Sequence, residues 1–216
     1  MTYRAVLFDL DGTLLDTVED LTDAMNAALG QLGCPARTLT ECKRFVGDGL
    51  RMFASRALPD DRRDEATLER CCRIFRDAYA GCWNVKTRAY DGVSDLLTAL
   101  TERGVALTVL SNKPDEFTRM MVREMLADWP FALVRGVRAD GVRKPDPAGA
   151  LEIADELGIA PAAFLYLGDT DTDMQTARAA RMFPVGATWG FRPPTELTAH
   201  GARALIDHPL DLLDLL

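Results

Sequence analysis

One stretch near the N-terminus, FDLDGTLLDT (Phe8 to Thr17), constrains this chain more than any other. An apolar run of strand-forming residues, Tyr3 to Phe8, precedes it and predicts a buried strand. Asp9 stands where that strand ends, Asp11 follows two residues later, and Gly12 permits a sharp turn. Two carboxylates this close to a buried strand repel each other unless a proton or a cation neutralises them. The stretch therefore predicts either a cation site or an ordinary Asp-Gly turn, and the rest of the chain decides between them.

Composition excludes several classes of protein. The chain has 216 residues and a formal net charge of -8, so it offers no basic stripe to a nucleic acid. Its first residues, MTYRAVLF, lack a charged region followed by a long apolar run, so we expect no signal peptide, and no apolar stretch is long enough to span a bilayer. We therefore expect a cytoplasmic protein with no nucleic-acid or membrane partner. The five cysteines are odd in number and lack a C-x-x-C pair, which matches neither a disulfide framework nor a zinc site.

Periodicity divides the chain into two kinds of segment. From about Asp16 to Val85 apolar residues recur every three or four positions, which predicts helices and no strands. The remainder alternates strand-like and helical runs, with strands predicted at residues 105–110, 131–134, 164–167, 183–185 and 204–206. This alternation predicts an α/β fold with a doubly wound, Rossmann-like parallel sheet. We expect an α/β core of residues 1–15 and 88–216, and an inserted all-helical cap of residues 16–87.

Polar residues follow several predicted strands at the point where each strand ends. Asp9 and Asp11 follow the first strand, Ser111 the second and Asp169 a later one, while Lys144 lies close to another strand end. In open α/β sheets, ligands bind at the edge formed by the carboxyl ends of the strands. We therefore expect these residues, which are far apart in the sequence, to converge on one site.

Each of these side chains has a role that fits phosphoryl transfer. Asp9 would attack phosphorus, and Asp11 would protonate the leaving oxygen and later deprotonate the attacking water. Ser111, with nearby backbone N–H groups, would hold phosphoryl oxygens, and Lys144 would offset charge on the transferring group. Asp9 and Asp169 would hold Mg2+, a hard cation that takes few protein oxygens and leaves room for a substrate phosphate.

The same residues carry a resemblance to a known family. Over essentially its whole length the chain resembles a haloacid dehalogenase superfamily hydrolase of the phosphoglycolate-phosphatase-like kind, and its helical insert resembles the family's cap. The matching pieces, in chain order, are D-x-D-G-T (9–13), Ser111-Asn112-Lys113, Lys144-Pro145, G-D-x-x-x-D (168–173) and V-G-A-T-W-G-F (185–191). One departure is Arg181, which follows Ala179-Ala180 where family members commonly have glycine.

The resemblance implies a mechanism and a set of metal ligands. It makes Asp9 the nucleophile and Asp11 the acid/base, and it assigns Mg2+ to the Asp9 carboxylate, the Asp11 backbone carbonyl and Asp169. It gives Asp173 a supporting role at this metal site, where it would orient Lys144 or a metal-bound water. Family members that cleave carbon–halogen bonds lack the second carboxylate, because no alcohol leaving group needs a proton. The presence of Asp11 therefore favours phosphate ester chemistry.

We expect a Mg2+-dependent phosphatase that hydrolyses a small phosphate monoester, phosphoglycolate-like or a sugar phosphate, through an aspartyl-phosphate. The cap would close over the substrate, exclude water and choose the leaving group. Gly47, Asp48 and Arg51 are the candidate substrate contacts in the cap, and Arg51 would suit a substrate carboxylate. The same stretch is equally typical of a simple helix start. Asn112 is a candidate substrate contact in the core, and Lys113 is either another such contact or a surface residue.

Two other functions are compatible with these residues. A phosphomutase of the beta-phosphoglucomutase type would share Asp9, Asp11 and the metal, and would differ in shielding the aspartyl-phosphate from water. A non-enzymatic phospho-accepting regulatory domain also places acidic residues, a Ser or Thr and a Lys at strand ends, but such domains are shorter and lack the helical insert. The expected partner of the phosphatase is a small phosphorylated metabolite, and the sequence leaves monomer and homodimer both open.

Overall fold

The computed structural model of the protein describes residues 3–137 and 141–216, and its internal contacts divide the chain into two units. The first unit contains residues 1–15 and 89–216, and the second contains residues 16–88. The chain leaves the first unit after Leu15 and returns to it at Ala89. That the second unit acts as a cap stays a prediction.

The described residues form eight strands. They are β1 (Ala5–Phe8), β2 (Leu15–Asp16), β3 (Arg88–Ala89), β4 (Ala106–Pro114), β5 (Phe131–Val137), β6 (Phe164–Gly168), β7 (Phe183–Ala187) and β8 (Ala204–Ile206). β2 and β3 pair in a small sheet of their own, while the other six form one sheet of order β5-β4-β1-β6-β7-β8. Every pairing in the larger sheet is parallel.

Nine α-helices lie within residues 3–137 and 141–216. The second unit contains α1 (Val18–Gln31), α2 (Leu39–Phe45), α3 (Leu50–Ala57) and α4 (Glu65–Ala80), and the first contains α5 (Val93–Glu102), α6 (Asp115–Met125), α7 (Ala148–Leu157), α8 (Asp171–Ala179) and α9 (Pro194–Ala199). Short 3-10 helices span Asp60–Arg62, Pro161–Ala163 and Pro209–Leu215. In this part of the chain, no helix combines the length and the apolar character that a membrane crossing requires.

Strand β1 lies where the chain changes direction across the large sheet. β4 and β5 extend from one edge of β1, and β6, β7 and β8 extend from the other. All four residues of β1 are fully buried. Successive side chains of a strand point to opposite faces, so this burial means that both faces of β1 are covered. Open α/β sheets bind ligands at such a switch point, and β1 ends at Asp9.

The second unit is stabilised by amphipathic helices. Buried residues of α4 recur at spacings of three and four: Leu68, Cys71, Ile74, Phe75 and Tyr79. Phe75 stacks on Tyr79 with ring centroids 5.4 Å apart and meets Phe53 of α3 edge to face at 5.8 Å. α2 begins with a capping box, in which Thr38 and Glu41 satisfy each other's backbone N–H groups. The cysteines are free thiols, and Cys71 packs as a small apolar side chain.

The structure confirms the predicted fold class, an α/β fold with a parallel sheet flanked by helices. The strands predicted at 105–110 and 131–134 are longer than expected, as β4 and β5. β4 continues through the polar motif Ser111 to Lys113, because these three side chains are buried and pair with their surroundings. β2 and β3 were not predicted, since strands of two residues leave no alternating pattern.

Helix α8 ends in a Schellman motif that has arginine where the backbone conformation favours glycine. Arg181 has φ of 60°. Its N–H donates to the Arg178 carbonyl at 3.0 Å, and the Met182 N–H donates to the Ala177 carbonyl at 2.8 Å, which are the two bonds of this motif. At the end of α7 the equivalent position, also with φ of 60°, is Gly158. A left-handed conformation costs an L-residue about 1–2 kcal/mol, so Arg181 is strained.

Replacing Arg181 with glycine is expected to raise the free energy of unfolding by about 0.5–1 kcal/mol. Glycine removes the Cβ that disfavours the left-handed backbone, and the greater entropy of its unfolded state offsets part of the gain. Urea denaturation measures the difference. Arg181→Ala is the matched control: it loses the same exposed side chain but keeps Cβ, so its stability should stay within about 0.5 kcal/mol of wild type. Equal stability of the two variants would contradict the strain.

Candidate active site

Three buried carboxylates meet at the carboxyl ends of β1 and β6. Asp9 continues the ladder beyond β1, where its N–H donates to the Leu167 carbonyl at 2.9 Å. Asp169 follows β6 directly, and Asp173 lies in the first turn of α8. One carboxylate oxygen from each of Asp9, Asp169 and Asp173 lies within 4.8 Å of the others, and all three residues are buried. The parallel sheet thus brings together three of the acidic residues that the sequence singled out.

Lys144 lies among these carboxylates and is itself only 3% exposed. Its Nζ is 2.7 Å from Asp173 Oδ1, to which it donates a hydrogen bond, and 2.8 Å from Asp9 Oδ1. The contact with Asp9 lacks the angles of a hydrogen bond. Asp9 Oδ1 is therefore a buried oxygen with an ionic neighbour but, within the described residues, no hydrogen-bond donor. The structure places Lys144 where its charge acts on the predicted nucleophile.

The backbone of Lys144 is held by Asn112. The Asn112 side chain accepts a hydrogen bond from the Lys144 N–H at 2.8 Å and donates one to the Lys144 carbonyl at 3.0 Å. This reciprocal pair links residues that are 32 positions apart and fixes the segment from which the lysine side chain extends. Asn112 thus has a positioning contact that sequence reasoning missed, and its predicted contact with substrate stays a prediction.

Both oxygens of Asp173 are engaged by protein groups. Oδ2 accepts from the Thr170 N–H at 3.1 Å and from the Thr170 hydroxyl at 2.6 Å, so Asp173 completes the capping box of α8. Oδ1 accepts from Lys144 and, at 3.3 Å, from the Tyr166 hydroxyl. Gly168 leaves room for this carboxylate, since a Cβ there would lie 2.3 Å from Asp173 Cγ. These contacts favour the predicted role in which Asp173 orients Lys144.

Asp169 is held from two sides of the site. Its Oδ1 accepts from the Thr13 hydroxyl at 2.9 Å, and its Oδ2 accepts from the Phe191 N–H at 2.7 Å. A Cβ on Gly12 would lie 2.3 Å from Asp169 Oδ2, and one on Gly190 would lie 2.2 Å from Asp169 Cβ. Gly12 also has φ of 87°, which disfavours any other residue. Only glycine fits at these two positions without displacing the carboxylate.

The loop after β7 supplies contacts that the sequence did not identify. The segment 185–191 was noted only as typical of the family, yet the Trp189 indole N–H donates to the Thr13 carbonyl at 3.1 Å. This contact ties the loop to the segment that carries the first two aspartates, and the bond from the Phe191 N–H ties it to Asp169. The sequence did offer one signal for this contact, namely Trp189 beside a glycine after a strand, because a partly buried indole N–H requires a hydrogen-bond acceptor.

Ser111 and Lys113 lie near the end of β4, next to β1. Ser111 is buried, and its hydroxyl accepts the Lys113 N–H at 3.2 Å. Lys113 is buried as well, so the alternative of a surface residue is wrong. Its Nζ donates to both carboxylate oxygens of Asp11, at 2.9 and 3.0 Å. Asp11, predicted as the acid/base, is therefore paired with a lysine and is not a member of the buried carboxylate trio.

Burial and mutual repulsion shift the protonation of the site. Burial raises the pKa of Asp9 well above its usual value, and the Asp173 carboxylate raises it further against the lowering effect of Lys144. Burial and Asp173 raise the pKa of Asp169 to about 7. Burial alone would lower the pKa of Lys144, but Asp173 and Asp9 raise it well above the usual value. Carboxylates with raised pKa values signal a site that lacks positive charge.

The residues present fit a hard divalent cation. With all groups ionised, the carboxylates of Asp9, Asp169 and Asp173 carry three negative charges against one positive charge on Lys144. Mg2+ prefers oxygen ligands and is held through one or two carboxylates. Asp9 and Asp169 suit that role, since Asp9 Oδ1 has no hydrogen-bond donor within the described residues. Asp173 suits it less, because its oxygens already accept four hydrogen bonds.

The candidate recognition residues of the second unit lie at the start of α3. Gly47 has φ of 128°, and Gly49, the residue before α3, has φ of 85°. Arg51 is exposed, pairs with Glu65 of α4, and helps to line a cavity of about 350 Å³ together with Leu50, Glu69, Cys72, Arg73 and Arg76. Asp48 pairs with Arg56. Substrate contacts by Gly47 and Arg51 stay predictions.

Comparison with known proteins gives the family. The family model described as haloacid dehalogenase-like hydrolase matches residues 6–187, a range that begins within β1 and ends with β7. The chain belongs to this family. The match confirms the resemblance drawn from the sequence motifs, and with it the prediction that the chain is a hydrolytic enzyme.

Individual relatives cover nearly the whole chain. Phosphoglycolate phosphatase from Pseudomonas putida is 35% identical over 208 residues, which are 94% of this chain and 76% of that protein. Phosphoglycolate phosphatase 1 from Pseudomonas aeruginosa is 33% identical over 214 residues, 97% of this chain and 78% of that one. The crystal structure of a candidate phosphoglycolate phosphatase from Lactobacillus delbrueckii subsp. bulgaricus matches with a TM-score of 0.92 and 32% identity, over 100% of this chain and 98% of that chain.

Mg2+ is expected to stabilise the protein against heat. A free concentration 100 times the dissociation constant adds about 2.7 kcal/mol, which is roughly 5–10 °C in Tm for a chain of this size. Asp169→Asn should lose most of this shift, whereas Asp171→Asn, a neighbour whose carboxylate accepts from Gln175, should keep it. Differential scanning fluorimetry with MgCl2 or EDTA measures all three proteins. Equal shifts in wild type and Asp169→Asn would rule out this carboxylate as a ligand.

The Mg2+ shift is also expected to grow with pH. Without metal, the pKa of Asp169 in the folded protein is about 7, whereas the pKa of an ordinary aspartate is 3.8. The folded state therefore holds a proton that the unfolded state has lost, and the protein without metal loses stability as pH rises between these two values. Metal binding requires the deprotonated carboxylate, so Mg2+ should raise Tm more at about pH 8 than at about pH 5.5. A shift independent of pH would contradict the raised pKa.

Proposed function

We propose that this hydrolase is a Mg2+-dependent phosphatase that cleaves a small phosphate monoester through an aspartyl-phosphate on Asp9. The observation that carries the proposal is the placement of Asp9, Asp169, Asp173 and Lys144 in one buried cluster at the switch point of the sheet. Such a cluster supplies a nucleophile, oxygen ligands for a cation and a fixed positive charge. Relatives named phosphoglycolate phosphatase support a phosphoglycolate-like substrate, with a sugar phosphate as the alternative.

In the first half of the reaction, a carboxylate oxygen of Asp9 attacks phosphorus as the ester P–O bond breaks. Asp11 donates its proton to the leaving alcohol oxygen, so the alcohol departs neutral. Lys144, 2.8 Å from Asp9, offsets the negative charge that gathers around the phosphoryl group. Ser111, buried at the end of β4, is proposed to hold a phosphoryl oxygen through its hydroxyl.

In the second half, water attacks the phosphorus of the aspartyl-phosphate. Asp11, now a carboxylate, takes a proton from this water, and the bond from phosphorus to the Asp9 oxygen breaks. The products are inorganic phosphate and the regenerated Asp9 carboxylate. Lys144 stays in place through both halves because Asn112 holds its backbone and Asp173 holds its ammonium group.

Mg2+ would be held by the carboxylates of Asp9 and Asp169, with the Asp11 backbone carbonyl as a further ligand by analogy with the family. When bound, it would neutralise charge on the phosphoryl oxygens. Asp173 supports the site by orienting Lys144. Thr13 and Phe191 fix the Asp169 carboxylate, so its orientation is set by the protein before the ion arrives.

Phosphate release from a panel of small phosphate esters tests this function. Wild type is expected to release phosphate only with Mg2+, and Asp9→Asn to lose about 10³-fold or more, because the amide cannot form the aspartyl-phosphate. Asp171→Asn is the matched control and should keep near wild-type turnover. Conversion of a sugar phosphate to its isomer without phosphate release would favour a mutase. A stable phosphoryl group on Asp9 without turnover would favour a regulatory domain.

The variant Arg51→Ala tests the proposal that the second unit contributes to substrate recognition. If Arg51 binds a carboxylate of the substrate, the variant should raise KM for phosphoglycolate by about 10-fold or more and leave KM for uncharged alkyl phosphates unchanged. Arg63→Ala removes another arginine of this unit, one that pairs with Asp60, and should change neither value. If Arg51→Ala leaves KM unchanged for every ester, the proposed role of Arg51 in substrate specificity is wrong.

A further inference from the structure

Two of the four lysines in the chain are buried, and both form ion pairs at the candidate site. Lys144 belongs to the buried carboxylate cluster. The other is Lys113, whose side chain is 4% exposed and whose Nζ lies 2.9 and 3.0 Å from the two oxygens of Asp11. The Asp11 side chain is itself 11% exposed. The pair is thus nearly excluded from water, which an incidental surface contact would not be.

The near-equal distances mean that one ammonium group contacts both oxygens of the carboxylate. A contact to both oxygens fixes the rotation of the carboxylate as well as its position. Burying two charges is costly, and the cost is offset only when the geometry of the pair is well defined. The geometry therefore restricts Asp11 to a narrow range of orientations.

Strand β4 carries Lys113 to the candidate site. Phe8 of β1 lies opposite Val109 of β4, so the strand ends carry Asp11 and Lys113 to the same edge of the sheet. Lys113 is part of β4 and lies in its irregular stretch, between the pairings of Leu110 with Arg135 and of Pro114 with Val137 on β5. Its backbone N–H donates to the Ser111 hydroxyl. An anchor built on a strand is more rigid than the loop that carries Asp11.

We propose that Lys113 is a positioning residue that holds the Asp11 carboxyl group in place for proton transfer. The inference rests on the proposed function, in which Asp11 gives its proton to the leaving oxygen as the ester bond breaks and takes one from water as the aspartyl-phosphate bond breaks. Lys113 exchanges no proton and forms no covalent bond in these steps. Its contribution lies in the placement of Asp11, and a misplacement of about 1 Å can cost about 100-fold in rate.

The test is a comparison of kcat/KM for an alkyl phosphate and for 4-nitrophenyl phosphate in Lys113→Met. The alkyl alcohol needs a proton to leave, whereas 4-nitrophenolate is a stable anion that leaves without one. We expect the alkyl ester to lose about 10- to 100-fold and the nitrophenyl ester to lose less than about threefold. Equal losses for both esters would overturn the proposal, because a substrate contact or a structural role affects them alike.

The double variant that combines Lys113→Met with Asp11→Asn provides a second, independent test of the proposal. If Lys113 acts only through Asp11, adding Lys113→Met to Asp11→Asn should change kcat/KM for the alkyl ester by less than about twofold. The double variant also removes both charges, so it keeps the test valid if Lys113→Met alone leaves a buried unpaired carboxylate and folds poorly. A further loss of 10-fold or more in the Asp11→Asn background would overturn the proposal.

Lys86→Met is the matched control, because it removes a lysine that pairs with Asp23 in the second unit. It should leave both esters at wild-type values. The same experiment distinguishes failure of the proposed function from failure of the role of Lys113. If wild type hydrolyses neither ester, the proposed function is wrong. If wild type hydrolyses both and Lys113→Met fails to separate them, only the role of Lys113 fails.

Discussion

The confinement of like charges at the end of β1 is the constraint on which the rest of the structure depends. Asp9, Asp169 and Asp173 are buried together, and one lysine, Lys144, lies among them. Carboxylates in such surroundings either keep protons, as the raised pKa values of Asp9 and Asp169 indicate, or recruit a cation. The cluster is therefore short of positive charge, and the proposed Mg2+ site and phosphatase activity would both use this property.

The scaffold holds these charges by sharing groups between structural and functional roles. Asp173 closes the capping box that starts α8 and also accepts a hydrogen bond from Lys144, so the start of a helix and the position of a buried positive charge depend on one carboxylate. Asn112 similarly belongs to strand β4 while fixing the Lys144 backbone. Gly12 and Gly190 leave the space that Asp169 fills. Substitutions at such positions are expected to affect folding and activity together.

The two lysines divide the work of neutralising the aspartates. Lys144 lies between Asp173 and Asp9, the proposed nucleophile, and Lys113 contacts Asp11, the proposed acid/base. A lysine is a compact point charge with rotatable donors, which suits Lys144, whose Nζ lies close to one oxygen of each of two carboxylates. In a chain that otherwise favours arginine, two of the four lysines are buried at this one site.

The sequence by itself determined the fold class, the helical character of the segment after the first strand, and the family, because periodicity and ordered motifs are local properties of the chain. It also pointed to Asp9 and Asp169, since each ends an apolar strand. Only the tertiary structure decided which groups touch. The bonds from Lys113 to Asp11 and from Trp189 to the Thr13 carbonyl join residues 102 and 176 positions apart, and no local pattern encodes them. They arise because a parallel sheet brings distant strand ends to one edge, where burial favours the pairing of polar groups.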